Sequence, residues 1–421
     1  MKQRVLKRAL CALCALFALL ALPGGAVAAR APIPTPFVGA SVANRALPCG
    51  VGFALSRTQK ERMRSLLEQI PGKELPSRGE KNPPPTPQQR AQAWLSVLSD
   101  RQKVGQLLLA RFPLSGAPAL ADRLELGGYL LFARDVADLT PDALRALLES
   151  CQSQTLVPML MGVDEEGGQV VRVSRYRQYR ESPFPSPRSL LSKGGLDAVE
   201  RDAREKAQLL LSLGLNLNLG PVCDIAGDKN AFLYARSAGD DAASVSDFVR
   251  QVVQSSREEG LGCVLKHFPG YGNNADTHVG KAVDERPYES FVQRDFLPFE
   301  AGIAAGAGAV MVSHNTVACM DAQLPASLSP AVHEILRGQL RFEGVIVTDD
   351  LAMAAVSQGA DQGQLAVQAV LAGNDLLCTS DPEQAAAALL DALEQGRLSA
   401  ERLDEAVTRV LVWKLSLGLL S

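Results

Sequence analysis

Eight short apolar runs, none of them alternating with polar residues, constrain most tightly what this chain can fold into. They occupy residues 106–110, 128–132, 157–163, 215–224, 262–266, 309–313, 344–348 and 375–379. A strand with one face in water alternates apolar with polar residues, so a run that does not alternate belongs to a strand covered on both faces. Longer segments of helical pattern separate the runs. Helix starts are marked by a capping residue and a proline at Thr140-Pro141, Ser329-Pro330 and Asp381-Pro382. Strand-then-helix units repeated eight times predict an α/β fold, a single-domain (β/α)8 TIM barrel, over an open doubly wound sheet. There is no G-x-G-x-x-G after a strand and no Walker A pattern, which lowers any nucleotide-binding version of the open sheet.

The globular domain is expected over residues 87–421, because Thr86-Pro87 reads as a helix N-cap followed by a first-turn proline. Residues 29–86 are irregular and proline-rich, ending in Lys81-Asn82-Pro83-Pro84-Pro85, and read as an extension and linker. Residues 1–28 carry Lys2, Arg4, Lys7 and Arg8 ahead of an apolar run and a small-residue Ala26-Val27-Ala28. This is the pattern of a cleaved secretory signal, and the run is shorter than the ~20 residues of a membrane span. An exported protein, periplasmic or extracellular and without stable membrane insertion, is the expectation. Losing four positive charges takes the formal charge from -3 to about -7, which disfavours nucleic acid as a partner. The same cleavage removes Cys11 and Cys14, the sole C-x-x-C, and leaves six cysteines with no redox or zinc motif. Cys263 and Cys378 lie inside apolar runs and read as buried thiols.

A barrel places its chemistry at the carboxyl ends of the strands. Reactive side chains do collect there: Arg134, Asp164 and Glu166, Asp224, Lys266 and His267, His314, and Asp349 with Asp350 each end or follow a run. His333, within the segment that starts at Pro330, reads as a surface or helix-packing residue. Asp349, at the end of Val345-Ile346-Val347-Thr348, is a candidate nucleophile, since a carboxylate can attack an electrophilic carbon and later leave. Asp350 reads as a supporting group or helix cap. Asp276 and His278, two apart in a glycine- and asparagine-rich loop, can pair, the carboxylate fixing the imidazole tautomer and raising its pKa; a loop ion pair without chemistry is the plainer alternative. Gly167 and Gly168 allow a tight strand exit beside Asp164, Glu165 and Glu166.

Val163-Asp164-Glu165-Glu166-Gly167-Gly168, Lys266-His267-Phe268-Pro269-Gly270 with Asp276-Thr277-His278, and Thr348-Asp349-Asp350-Leu351-Ala352-Met353 occur in order, each at an expected strand end. In these the chain resembles family 3 of the glycoside hydrolases, specifically its single-domain β-N-acetylhexosaminidases, over residues 98–420. The resemblance implies a retaining double displacement with Asp349 as nucleophile and His278, paired with Asp276, as acid and base. It assigns substrate contacts to Asp164, Arg172, Arg236, Lys266 and His267, and requires no cofactor and no metal. The implied substrate is an amino-sugar oligosaccharide ending in β-linked N-acetylglucosamine, from peptidoglycan fragments or chitin. Tyr271, Glu165 and Thr277 depart from the family, which often has histidine, glutamine and serine there. Three rivals stand beside this reading: a β-glucosidase or β-xylosidase of the same family, a metal-dependent barrel hydrolase using His267, His278, His314 and Asp349, and a sugar-binding protein without turnover.

Overall fold

The computed structural model describes residues 84–272, 274, 277, 280–357 and 361–420. The signal-like segment and nearly all of the extension lie outside the described residues, as do Asp276 and His278. Eight parallel strands form the centre: β1 (Leu108–Arg111), β2 (Gly128–Leu131), β3 (Leu160–Val163), β4 (Leu217–Asn218), β5 (Gly262–Phe268), β6 (Ala309–Val312), β7 (Val345–Thr348) and β8 (Leu377–Thr379). They pair in the order 8-1-2-3-4-5-6-7. A parallel bridge between Val347 and Leu376 joins β7 to β8 and closes the ring. The fold is the expected (β/α)8 barrel.

Absence of alternation in the runs has its cause in apolar packing on both faces of the strands, inside the ring and against the helices outside it. Leu109, Leu130, Leu160, Leu217, Val264, Met311, Val345 and Cys378 pack together as the barrel interior. Their chain neighbours Leu108, Tyr129, Leu131, Met161 and Val163 face one set of helices. Leu265, Val310, Val312 and Ile346 face another, rich in phenylalanine. Trp413 and Val410 of the closing helix Ala400–Ser416 join the interior cluster. Gly308, just before β6, is required by that packing, since a Cβ there would sit 2.0 Å from the Trp413 indole nitrogen.

Helix starts fall where capping chemistry puts them. Thr86 forms a capping box with Gln89 ahead of Pro87–Leu95; Thr140, Ser329 and Asp381 accept the N–H groups of Ala143, Val332 and Gln384. Each strand starts or ends a few residues from its run, and two of these differences have a visible local setting. Gln106 ends the helix Asp100–Gln106, and its buried amide donates to the Glu125 carbonyl. The 215–224 run yields a strand of two residues; Pro221 has no N–H to give the ladder, and pairing with β5 resumes beyond it, where Val222 bridges Lys266 and the Cys223 N–H donates to the Lys266 carbonyl. His333 is buried, not on the surface: its Nδ1 meets the Ser329 carbonyl and its ring abuts Gly373. None of the described cysteines is bridged, and Cys263 and Cys378 are buried as expected.

Candidate active site

A cavity of about 780 Å³ opens at the carboxyl ends of the strands, within the size range of small-ligand sites. Asp164, Glu166, Arg172, Arg236, Lys266, His267, Asp349 and Asp350 line it. Every described residue of the expected site therefore reaches one pocket.

The wall from β3 to β5 is an ion-paired array. Lys266 Nζ lies 2.7 Å from Asp164 Oδ1 and 2.6 Å from Glu166 Oε1. Arg236 grips both Glu166 oxygens, at 2.7 and 2.9 Å. Burial alone would push the Glu166 carboxyl up, yet Lys266 and Arg236 hold it well below the usual carboxylate range. Burial likewise works against the Lys266 charge, and Asp164 with Glu166 outweighs it. Two cations and two carboxylates thus balance one another along this wall, a preorganised set of hydrogen-bonding groups that lines the cavity.

His267 is oriented from behind. Arg236 Nη2 is 3.2 Å from His267 Nε2; a guanidinium can only donate, so Nε2 accepts and the ring proton is on Nδ1. Nδ1 donates to Asp224 Oδ2 at 2.7 Å, and the other Asp224 oxygen accepts the Tyr271 N–H at 2.7 Å. Asp224 thus supports the site without lining it.

Asp349 follows β7, which stands opposite β3 in the ring. One of its oxygens accepts the Asp350 N–H at 2.9 Å. Burial pushes the Asp350 carboxyl up against the opposing Ala352 N–H, and the Asp349 charge raises it further. Asp350 accepts the Ala352 N–H two residues on, a local turn; the next helix begins at Ala354, so Asp350 is not its N-cap. His314 donates from Nε2 to the Asp350 carbonyl and accepts the Ser327 hydroxyl at Nδ1, which occupies both ring nitrogens in holding the β7 exit. Arg134 pairs with Asp135 away from the pocket.

Gly167 and Gly168 have φ of 103° and 66°, and a Cβ at Gly167 would meet the Pro185 carbonyl at 2.2 Å, so the tight exit requires glycine. Glu165 has a larger part than the sequence revealed. Its buried carboxylate accepts the N–H groups of Arg172, Val173 and Ser174 and the Ser174 hydroxyl, fixing the loop that carries Arg172. Tyr271 and Thr277, two other departures from the family, meet each other: their hydroxyls are hydrogen-bonded, and the Thr277 N–H also donates to the phenol. Arg111, Phe132 and Met311 line the pocket without any sequence signal beyond their places near strand ends. Among the described residues, no three His, Cys, Asp or Glu side chains are grouped to hold a metal ion.

Comparison with known proteins extends the likeness to the whole domain. Residues 100–412 match the glycosyl hydrolase family 3 N-terminal domain. A β-hexosaminidase of Xanthomonas campestris pv. campestris is 38% identical over 276 residues, covering 63% of this chain and 80% of that protein. The β-hexosaminidase LpqI of Mycobacterium tuberculosis is 32% identical over 333 residues, covering 76% of this chain and 84% of that protein. In structure, a family 3 β-N-acetylglucosaminidase from Paenibacillus sp. str. FPU-7 superposes with a TM-score of 0.72 at 32% identity, over 76% of this chain and 63% of that one. With the barrel, the strand-end pocket and these matches together, the chain belongs to glycoside hydrolase family 3 and is a glycoside hydrolase.

Proposed function

We propose that the protein is an exported retaining β-N-acetylhexosaminidase that removes terminal non-reducing β-linked N-acetylglucosamine from peptidoglycan fragments or chitooligosaccharides. The observation that carries this reading is the division of the pocket: a charge-balanced wall on β3 to β5 faces the carboxylate of Asp349, at the end of β7 on the opposite side of the ring. Asp164, Lys266, His267, Arg236 and Arg172 hold the sugar hydroxyls so that its anomeric carbon lies over Asp349. An Asp349 oxygen attacks that carbon as the glycosidic bond breaks, and His278 gives its proton to the departing oxygen. Water then attacks the same carbon, His278 takes a proton from it, and the sugar leaves Asp349 with its configuration retained. Asp276 holds the His278 imidazole for both transfers. Names of the relatives support the amino sugar, and the first 28 residues support export.

The test is a pair of chromogenic substrates differing only at C2. The N-acetyl-β-glucosaminide should be hydrolysed at least ~10-fold better by kcat/KM than the β-glucoside, about 1.4 kcal/mol in transition-state binding. Equal rates would reject the amino-sugar specificity.

A further inference from the structure

Behind the β3 to β5 wall two charged residues are buried that do not line the active-site cavity. Asp202 and Lys206 lie one turn apart on the helix Pro187–Ser212, on a face whose other buried members include Val199, Ala203, Ala207 and Leu210. Each is 8% exposed. Lys206 Nζ lies 3.0 Å from Asp202 Oδ2, donates to the main-chain carbonyl of Glu166 at 3.2 Å, and stands 5.0 Å from the centroid of the Phe184 ring. An ammonium with three N–H groups thus meets three partners.

Stability does not account for this pair. Taking two charges out of water is costly, and apolar side chains of similar volume serve stability as well or better. What apolar side chains cannot do is donate to a backbone carbonyl. The carbonyl in question joins Glu166 to Gly167, at the start of the turn whose glycines have φ of 103° and 66°. Among the described residues Lys206 is its sole hydrogen-bond donor. The N–H groups of Glu166 and Gly167 both donate to the Val170 carbonyl, and that of Gly168 donates to the carbonyl of Phe184, the residue whose ring Lys206 faces. Close packing does not fix the turn from behind, since Glu165, Glu166, Asp202, Lys206 and Asn218 line a small cavity there of about 20 Å³. Beside a void the backbone is placed by its hydrogen bonds, because contact atoms are missing on one side. The Glu166 carboxylate in turn holds Lys266 and Arg236, so a tilt of this peptide misaligns both cations.

We propose that Lys206, with Asp202 as its counter-ion, is a positioning residue for the sugar-binding wall, acting through the Glu166 backbone on Lys266 and Arg236. The inference rests on the proposed function, in which those two cations hold the sugar. A wall that grips the sugar in the ground state and the transition state alike affects KM more than kcat.

The experiment measures kcat and KM on the chromogenic N-acetyl-β-glucosaminide, together with unfolding in denaturant, for the full chain and its variants. Asp202→Leu/Lys206→Met replaces the ion pair by apolar side chains and removes the donor. Its denaturation midpoint should not fall below that of the unmodified chain. Its KM should rise at least ~10-fold with kcat within about 3-fold. Asp202→Asn/Lys206→Met also lacks the donor and must show the same rise in KM, which covers failure of the first variant to fold. Lys206→Arg keeps charge and donors and should bring KM back toward the unmodified value. Folded donor-less variants with unchanged KM would overturn the inference, as would a loss confined to kcat, or one that follows the unfolded fraction. Glu166→Gln judges the wall separately. If KM is unchanged in Glu166→Gln, the sugar-binding reading of the wall fails and this inference falls with it; if KM rises there and not in the Lys206 variants, this inference alone falls.

Discussion

Asp349 and His278 have different tasks in the proposed reaction, and leaving-group chemistry separates them. A proton donor matters most when the departing oxygen is a poor leaving group, whereas the nucleophile is needed for every substrate. His278→Ala should slow cleavage of a natural disaccharide by roughly 10²–10⁴-fold while sparing the glycosylation step on an activated dinitrophenyl glycoside. Asp349→Ala should abolish both. Pre-steady-state release of dinitrophenolate reads the first step directly; equal losses on the two substrates would remove His278 from the acid's place. Tyr271 adds a related expectation. Its phenol holds Thr277, which stands between Asp276 and His278 in the chain, and its N–H is held by Asp224, the same residue that orients His267. Tyr271→Phe should therefore behave as a milder His278 lesion, larger on the disaccharide than on the dinitrophenyl glycoside. A loss of equal size on both, through KM, would instead place its effect on the sugar-binding side by way of Asp224.

At the scale of elements, the amino-terminal ends of the strands contribute stability and the carboxyl ends contribute chemistry. Asp375, fully buried just ahead of β8, accepts from Arg337, Arg402 and Arg409 and from the Ile346 N–H. One carboxylate thereby ties β7 to the closing helix and to the turn that carries Arg337. Asp375→Ala would leave three partly buried guanidiniums without their shared partner, a loss of about 3–5 kcal/mol by analogy with broken buried ion pairs. Chemical denaturation should show it, with KM for the chromogenic substrate little changed in the protein that remains folded. The sequence made the eight strands legible because unbroken apolar runs can only be buried on both faces, and Thr140, Ser329 and Asp381 announced their helices through cap chemistry that acts within three residues. It made Asp164, Lys266 and Asp349 legible because strand ends are fixed once strands are found. Asp375 was not legible for the converse reason, since Arg337, Arg402 and Arg409 lie 27–38 residues away, and Glu165 was not because it clamps backbone N–H groups of Arg172, Val173 and Ser174, which no side-chain pattern announces. The short β4 was overestimated because Pro221 interrupts the ladder, which resumes only as the bridge of Val222 to Lys266, while the hydrophobicity runs on unbroken.

For the molecule as a whole, the seam between the helix Asp100–Gln106 and the closing helix carries a pH dependence unrelated to catalysis. Lys414 of the closing helix is fully buried, and its ammonium donates to Gln106 Oε1 at 2.7 Å, at the end of the helix that leads into β1. No acidic side chain among the described residues pairs with it, so burial pulls its pKa down from 10.5 to about 7. Below pH 7 the lysine is protonated in both folded and unfolded chains, and folding bears the full cost of burying the charge. Between pH 7 and 10.5 the unfolded chain binds more protons than the folded one, so this group makes stability rise with pH; above 10.5 the effect is complete. The rise from pH 7 to 8.5 should be about 1.5 kcal/mol, within a total of up to about 5 kcal/mol. Lys414→Met removes the titrating group while keeping the volume and apolar stem, although it leaves Gln106 Oε1 without its donor. Unfolding in denaturant at both pH values should therefore show a smaller rise for the variant than for the unmodified chain by about that 1.5 kcal/mol. Parallel pH dependences in the two proteins would mean that the folded chain keeps Lys414 protonated throughout, with the Gln106 amide sufficient to hold its charge.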